Sequence, residues 1–363
     1  MIDAQAARPQ ADSGDELIVL GPEGLYCPAG DFHIDPWRPV ARAVLTHAHA
    51  DHARFGHRAY LATAISEGAL RARLGDDIAL QGLAYGETVL INGVRISLHP
   101  AGHVLGSAQV RVEHHGRVWV VSGDYFVSGV DDDVNPTCTP FEPLRCHCFI
   151  TESTFGLPIY RWRAQAVMQR EINAWWQANA GAGRASLQMG YSFGKSQRLQ
   201  AGLDASIGAI AAHGAVENLN VVYRAAGVPL PPTRRIDQLP RAELKRAIVL
   251  APPAVQNSAW ARRLGADASD AFASGWMRLR GARRRRGVDR GFVLSDHADW
   301  PGLQRAIRAT GAERVIVTHG YAAVMVRWLT EQGLQAQAFA TEYGDDAIEA
   351  DASAAVAADD TAT

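Results

Sequence analysis

Leu45-Thr46-His47-Ala48-His49-Ala50-Asp51-His52 follows a short run, Ala43-Val44-Leu45-Thr46, that reads as a strand. Three histidines and an aspartate crowd into the six residues just past its end. On a locally extended chain side chains alternate, so His47 and His49 share one side while Asp51 and His52 can turn to another. That spacing suits two neighbouring metals better than one. Imidazole nitrogen and carboxylate oxygen are ligands that zinc takes at about 2.0–2.2 Å in roughly tetrahedral sites. A polar loop that happens to be rich in histidine accounts for any one of these residues, but poorly for the whole set after a strand.

The rest of the composition sets the frame. At 363 residues the chain is longer than one average domain, which favours two units or one large one. Hydrophobic residues at 47% and charged residues at 20% exclude a mostly disordered chain. The net charge of −2 hides an asymmetry: Asp345 to Thr363 holds six acids and no base, leaving the remainder at +4. Eighteen apolar residues never run together, so no transmembrane helix is expected. The first twenty residues carry Asp3, Asp12, Asp15 and Glu16, which speaks against a signal peptide. Cys27, Cys138, Cys146 and Cys148 are too few for a disulfide framework. The expectation is a soluble, cytoplasmic protein with no membrane contact.

Along the chain, residues 1–16 and 345–363 read as disordered ends. Short strands are expected at Leu17–Leu20, Val89–Ile91, Val94–Leu98, Ala108–Val112, Arg117–Val121 and Cys148–Thr151. His114-His115-Gly116 sits where a hairpin turn belongs. The pattern then changes to a long helical stretch over Arg161–Ala180, with an apolar stripe through Ala164, Val167, Met168, Ile172 and Trp175 and Gly181 as its cap. Mixed helical and strand segments, such as Ala247–Leu250, continue to about Gly287. Strand character returns at Gly291–Ser295 and Arg314–Thr318. The organisation is a β-rich body split by an α/β insertion.

Further motifs follow in order: Pro100-Ala101-Gly102-His103-Val104-Leu105-Gly106-Ser107, then Val121-Ser122-Gly123-Asp124-Tyr125. With the histidine loop they resemble the metallo-β-lactamase fold family, in which His103 is the third histidine and Asp124 bridges two metals. Asp35, in Phe32-His33-Ile34-Asp35-Pro36-Trp37, resembles the family's structural aspartate, which supports the histidine loop. Thr151-Glu152-Ser153-Thr154-Phe155-Gly156, Ser295-Asp296-His297-Ala298-Asp299 and Val317-Thr318-His319-Gly320 resemble the later motifs of the β-CASP nucleases. His319 favours their RNA-processing branch and its bacterial relatives over the Artemis-like branch. Tyr26–Phe32 and Ile34–Pro39 look most like the bacterial DNA ligase-associated exonucleases. The resemblance spans about residues 17 to 343.

It implies an α/β fold, a metallo-β-lactamase αββα sandwich (17–156 and 291–344) interrupted by a β-CASP insertion (157–290). His47, His49 and His103 would hold one metal and Asp51, His52 and His319 the other, with Asp124 between. Zn²⁺ is the default for such a donor set, and Mn²⁺ also accepts nitrogen and oxygen. Two metals about 3.5–4 Å apart stabilise both the attacking and the leaving oxygen of a phosphodiester. The resemblance implies that His297 protonates the leaving oxygen while Glu152 orients its ring, and counts Asp51 among the catalytic residues.

Two segments bear on the substrate. Gly190-Tyr-Ser-Phe-Gly194-Lys195-Ser196 is not a P-loop, because three residues rather than four separate Gly190 from Gly194. Lys195 is nevertheless a candidate for a substrate phosphate. Met277–Arg290 holds seven arginines against Asp289, and Arg283, Arg284, Arg285 and Arg286 are candidates for a phosphate track. Cys146-His147-Cys148 lacks a fourth zinc ligand and reads as packing.

The leading expectation is a two-metal DNA exonuclease acting in repair on single-stranded or duplex ends, associated with a DNA ligase and a helicase. An RNA-processing nuclease is the alternative within enzymes. A silent nucleic-acid-binding scaffold fits less well, since all seven ligand positions are filled. A small-molecule hydrolase does not need the roughly 140 residues between Gly156 and Ser295.

Overall fold

The computed structural model describes residues 16–343. The ends expected to be disordered lie outside the described residues, except Glu16, which instead forms an ion pair with Arg314.

Six strands lie side by side in sequence order: β1 (Val19–Gly21), β2 (Gly24–Cys27), β3 (Phe32–Ile34), β4 (Ala43–Val44), β5 (Tyr60–Thr63) and β6 (Leu80–Leu83). A second sheet begins with β7 (Thr88–Ile91), β8 (Val94–Pro100), β9 (Ala108–His114), β10 (Arg117–Val121) and β11 (Cys148–Ser153). The chain then builds a separate parallel sheet. Its strands are β12 (Ser186–Met189), β13 (Ile210–Ala212), β14 (Ile248–Ala251), β15 (Ser269–Ala273) and β16 (Arg290–Phe292), in the order β13-β14-β12-β15-β16. Last, β17 (Arg314–Gly320) and β18 (Gln335–Ala338) return beside β11. The fold class is mixed α/β, with two mixed sheets and one parallel one.

Alternation along the strands decides what each face buries. Val94, Ile96 and Leu98 of β8 share one buried cluster with Leu25, Phe32, Ile34 and Leu61 of the first sheet, so these two sheets pack on each other. Fully burying such a side chain contributes about 1.5–3 kcal/mol. The helix Glu67–Leu74 sets Ala69, Leu70 and Leu74 against Ala43, Tyr60 and Ala62 of the first sheet. The helices Trp300–Thr310 and Ala322–Glu331 bring Leu303, Ile307, Met325 and Leu329 against Val120, Phe149, Val315 and Val317 of the second.

The hairpin between β9 and β10 turns at His115 and Gly116, both with positive φ (47° and 75°), as a tight right-twisted hairpin requires. The long helix runs over Gln165–Gly181 rather than from Arg161. Trp162 is held out of it, donating its backbone N–H to Asp299 and its indole N–H to the His297 carbonyl. Gly181 is the last helical residue; the left-handed position falls at Gly183 (φ 71°). The strand at Gly291, expected with the returning strands, pairs instead with β15. A short apolar strand reads alike in either sheet, and here Phe292 packs its ring on Trp175.

Strands β10, β11 and β17 run parallel, so their C-terminal ends share one rim. In open α/β sheets that rim is where ligands bind. Asp124, Glu152 and His319 all come from it.

Candidate metal centre

Five imidazoles converge on Asp124. Its Oδ2 lies 3.5 Å from Nε2 of His47, 3.5 Å from Nε2 of His52 and 3.8 Å from Nε2 of His103. Its Oδ1 lies 3.3 Å from Nε2 of His319. His49 Nδ1 sits 3.1 Å from both His47 Nε2 and His103 Nε2. Asp51 Oδ2 is 3.5 Å from His52 Nε2. His47, His49, His103 and Asp124 thus form one group with ligand-like spacing.

The outer nitrogen of each ring settles its tautomer, because each faces an acceptor. His49 Nε2–H donates to the Phe193 carbonyl, and His103 Nδ1–H donates to the Asp296 carbonyl (2.8 Å). His52 Nδ1–H donates to Asp35 (2.7 Å). The Thr46 hydroxyl is spent on Asp35, so it accepts from His47 Nδ1–H. Thr318 likewise donates to the Thr151 carbonyl and accepts from His319 Nδ1–H. The inward nitrogens of His47, His49 and His103 are then bare lone pairs, aimed at one another with no proton to share. Bonds of about 2.0–2.1 Å to a tetrahedral ion place ligand atoms roughly 3.3–3.4 Å apart, close to the spacings seen here. His52 Nε2, Asp51 Oδ1 and Asp124 Oδ1 are buried without a hydrogen-bond partner. The donor set fits divalent cations, and outer acceptors of this kind are what orient metal-binding histidines.

Electrostatics agrees for His47, His49 and His103, whose rings it keeps neutral. Burial pushes His49 down to about 4 and His103 down to about 3, and lowers His47 well below the ordinary imidazole range. Burial opposes charge at His52 too, but the Asp51 and Asp124 carboxylates outweigh it and hold His52 well above that range. For Asp124, burial is overridden by the His52 and His297 charges, which hold its carboxyl well below normal.

The glycines beside the clustered residues are there for close approach. Gly123 (φ 56°) leaves no room for a Cβ, which would fall 2.6 Å from the Thr46 side chain. At Gly320 (φ 82°) a Cβ would meet the Ser153 carbonyl oxygen at 2.3 Å.

His297 stands beside this cluster, its ring centroid 4.7 Å from that of His103. Its Nδ1 faces the Glu152 carboxylate at 2.9 Å. Glu152 also accepts the Tyr125 N–H (2.8 Å) and the Thr154 hydroxyl. Although Glu152 falls within ligand distance of Asp124 and His319, its oxygens are already engaged.

Not every sequence expectation matches its surroundings. Lys195, expected at a substrate phosphate, is instead buried with its Nζ 2.8 Å from Asp296, where the ammonium has no open face to offer. Of the arginine run, Arg283, Arg284 and Arg285 are exposed on the short helix Arg280–Arg286, but Arg286 folds back over the Phe272 ring (4.2 Å). Arg163, Arg278, Arg283, Arg284 and Arg290 line an open groove of about 640 Å³. Cys146 and Cys148 are unpaired, Cys148 packing in the core and His147 accepting the Val118 N–H.

Several residues escaped the sequence reading. The Thr-His pair, repeated at Thr46-His47 and Thr318-His319, was a readable signal. Tyr343, stacked on His52 (4.5 Å, 14°) and edge-on to His319, carried none.

No protein-family profile matches the chain. It is 33% identical over 318 residues to a probable DNA ligase of Opitutus terrae, covering 87% of this chain and 30% of that protein. It is 31% identical over 120 residues to the endoribonuclease YSH1 of Saccharomyces cerevisiae, covering 33% of this chain and 15% of that one. The Candida glabrata YSH1 is 27% identical over 125 residues, covering 34% of this chain and 16% of its own. The chain therefore spans less than a third of the length of these curated relatives. Among solved structures, a protein of unknown function from Enterococcus faecalis V583 superposes with a TM-score of 0.56 at 12% identity, covering 84% of this chain and 80% of that one. That likeness concerns the fold. The sequence relationship is to proteins named for work on nucleic acids. No described helix is long and apolar enough to cross a membrane.

Proposed function

We propose that this chain is a metal-dependent nuclease of the metallo-β-lactamase fold with a β-CASP insertion, hydrolysing phosphodiester bonds at DNA ends in repair. The observation that carries this reading is the group of His47, His49 and His103 with bare inward nitrogens around Asp124, with the His297–Glu152 pair beside it. His47, His49 and His103 would hold one cation, and Asp51, His52 and His319 a second, with Asp124 reaching both. Zn²⁺ suits the donors, with Mn²⁺ the alternative. When bound, such cations supply Lewis-acid stabilisation of phosphoryl oxygens and acidify water.

The chain's own residues do the rest. Glu152 accepts from His297 Nδ1–H, which fixes the ring and favours a proton on Nε2. That proton is the one His297 would give to the leaving oxygen. Exposed arginines at 283, 284 and 285 would follow the phosphate backbone.

DNA is favoured by the Opitutus protein, a probable DNA ligase whose similarity runs over most of this chain. The same relative supports association with a DNA ligase. RNA is the second reading, supported by the two endoribonuclease matches. The deciding experiment strips the protein with chelator and adds back Zn²⁺ or Mn²⁺ with end-labelled single-stranded DNA, duplex DNA and RNA. Shortening of labelled DNA that depends on added metal supports the proposal. Cleavage of RNA alone selects the second reading, and no metal-dependent cleavage of any substrate overturns both.

A further inference from the structure

The segment from Gly190 to Arg198 lies in the part of the chain that builds the third sheet, yet it reaches one of the clustered histidines directly and a second through Asp296. Its Phe193 carbonyl takes the His49 Nε2–H. Its Lys195 and Arg198 enclose the Asp296 carboxylate, with Lys195 Nζ 2.8 Å from Oδ2 and an Arg198 Nη 3.3 Å from Oδ1. All three charged side chains are buried. Asp296 is where the two contacts meet: its main-chain carbonyl takes the His103 Nδ1–H, and the next residue is His297.

We propose that Lys195 and Arg198 are positioning residues for the metal centre, clamping Asp296 so that its carbonyl holds His103 and its backbone aims His297 at Glu152. The inference rests on the metal-centre reading above and extends it to residues outside the ligand set. The clamp is rigid in its surroundings. Arg198 also donates to the Ser295 carbonyl and, through Nε, to Gln165 (2.6 Å), and its guanidinium lies 4.1 Å from the centre of the Phe126 ring. Ser295 in turn accepts the His297 N–H (3.1 Å). Gly194, with φ 85°, brings the loop so close that a Cβ would meet Val104, the residue after His103, at 2.3 Å.

Burying two cations and a carboxylate is a poor way to gain stability, since apolar residues of similar volume commonly do as well or better. What this arrangement supplies is a fixed position for one carbonyl and one loop. Outer partners of metal-binding histidines typically change metal affinity or activity by about 10–100-fold when removed.

The test uses the full chain with Lys195→Met, Lys195→Arg, Asp296→Asn and His103→Ala. Zn²⁺ affinity is read by competition with a chromophoric chelator, and kcat and KM on a nitrophenyl phosphodiester. Lys195→Met is expected to weaken one metal equivalent by about 10–100-fold and to lower kcat at unchanged KM, with Lys195→Arg recovering most of both. A folded Lys195→Met with wild-type affinity and kcat overturns the proposal, as does a Lys195→Arg no better than the methionine variant. Should Lys195→Met fail to fold, the near-isosteric Asp296→Asn takes its place, and wild-type affinity there overturns it equally. His103→Ala separates the two levels. Retention of both metals in that variant overturns the metal-centre reading itself, whereas loss of one there beside a wild-type Lys195→Met overturns the positioning role alone.

Discussion

Asp35 Oδ2 accepts the Nδ1–H of His52 at 2.7 Å, in a carboxylate that also takes the Thr46 backbone N–H at 2.7 Å and the Thr46 hydroxyl. One buried aspartate thereby fixes both ends of the histidine loop. Asp35 itself has φ 44°, a left-handed conformation that asparagine tolerates better than most residues. Asp35→Asn should keep the backbone but lose a charged acceptor for His52. The expected result is metal affinity lower by about 10–100-fold at one of two sites, read by isothermal titration. Unchanged titration of both sites would detach Asp35 from the metal centre.

Asp124 lies within 3.8 Å of the Nε2 atoms of His47, His52, His103 and His319. Purified protein should carry about two metals per chain, and Asp124→Ala should lose most of both by elemental analysis. Activity that persists after reconstitution with well under one equivalent would refute the ligand set.

His297 separates proton transfer from ligation. His297→Ala should lower turnover by about 10²–10⁴-fold while metal content stays at the wild-type level. Metal lost with the imidazole would make it a ligand; an unaffected rate would leave it a hydrogen-bonded loop residue.

Replacing Arg283, Arg284 and Arg285 with alanine tests the phosphate track. Each lost contact should flatten the dependence of log affinity on log salt by about 0.7 for single strands. Arg286 is left in place, because its guanidinium packs on Phe272. Hydrolysis of a small nitrophenyl phosphodiester should survive. A salt slope equal to wild type would assign Arg283, Arg284 and Arg285 to a solvated face, leaving Arg163, Arg278 and Arg290 as the remaining cations on that groove.

Chemistry that resides in near neighbours along the chain was readable before any fold was known. Three histidines and an aspartate within six residues announce their donors by type and spacing, and the turn at His115-Gly116 announces itself by the backbone it needs. The strands at Val94–Leu98 and Ala108–Val112 were legible because alternation reports a half-buried face. Only the tertiary structure decided which distant groups serve that chemistry. Lys195 reads along the chain as a candidate for a substrate phosphate until Asp296, far away in sequence, is found against it. Tyr343 has no motif, because stacking on His52 needs only a flat ring in the right place. The strand at Gly291 went to the third sheet because parallel pairing is chosen by the neighbour that completes it, here β15. Ligand identity is a property of side-chain type, which a linear string records. Orientation, burial and the acceptor behind each imidazole belong to contacts between residues far apart in the chain, and no local pattern encodes them.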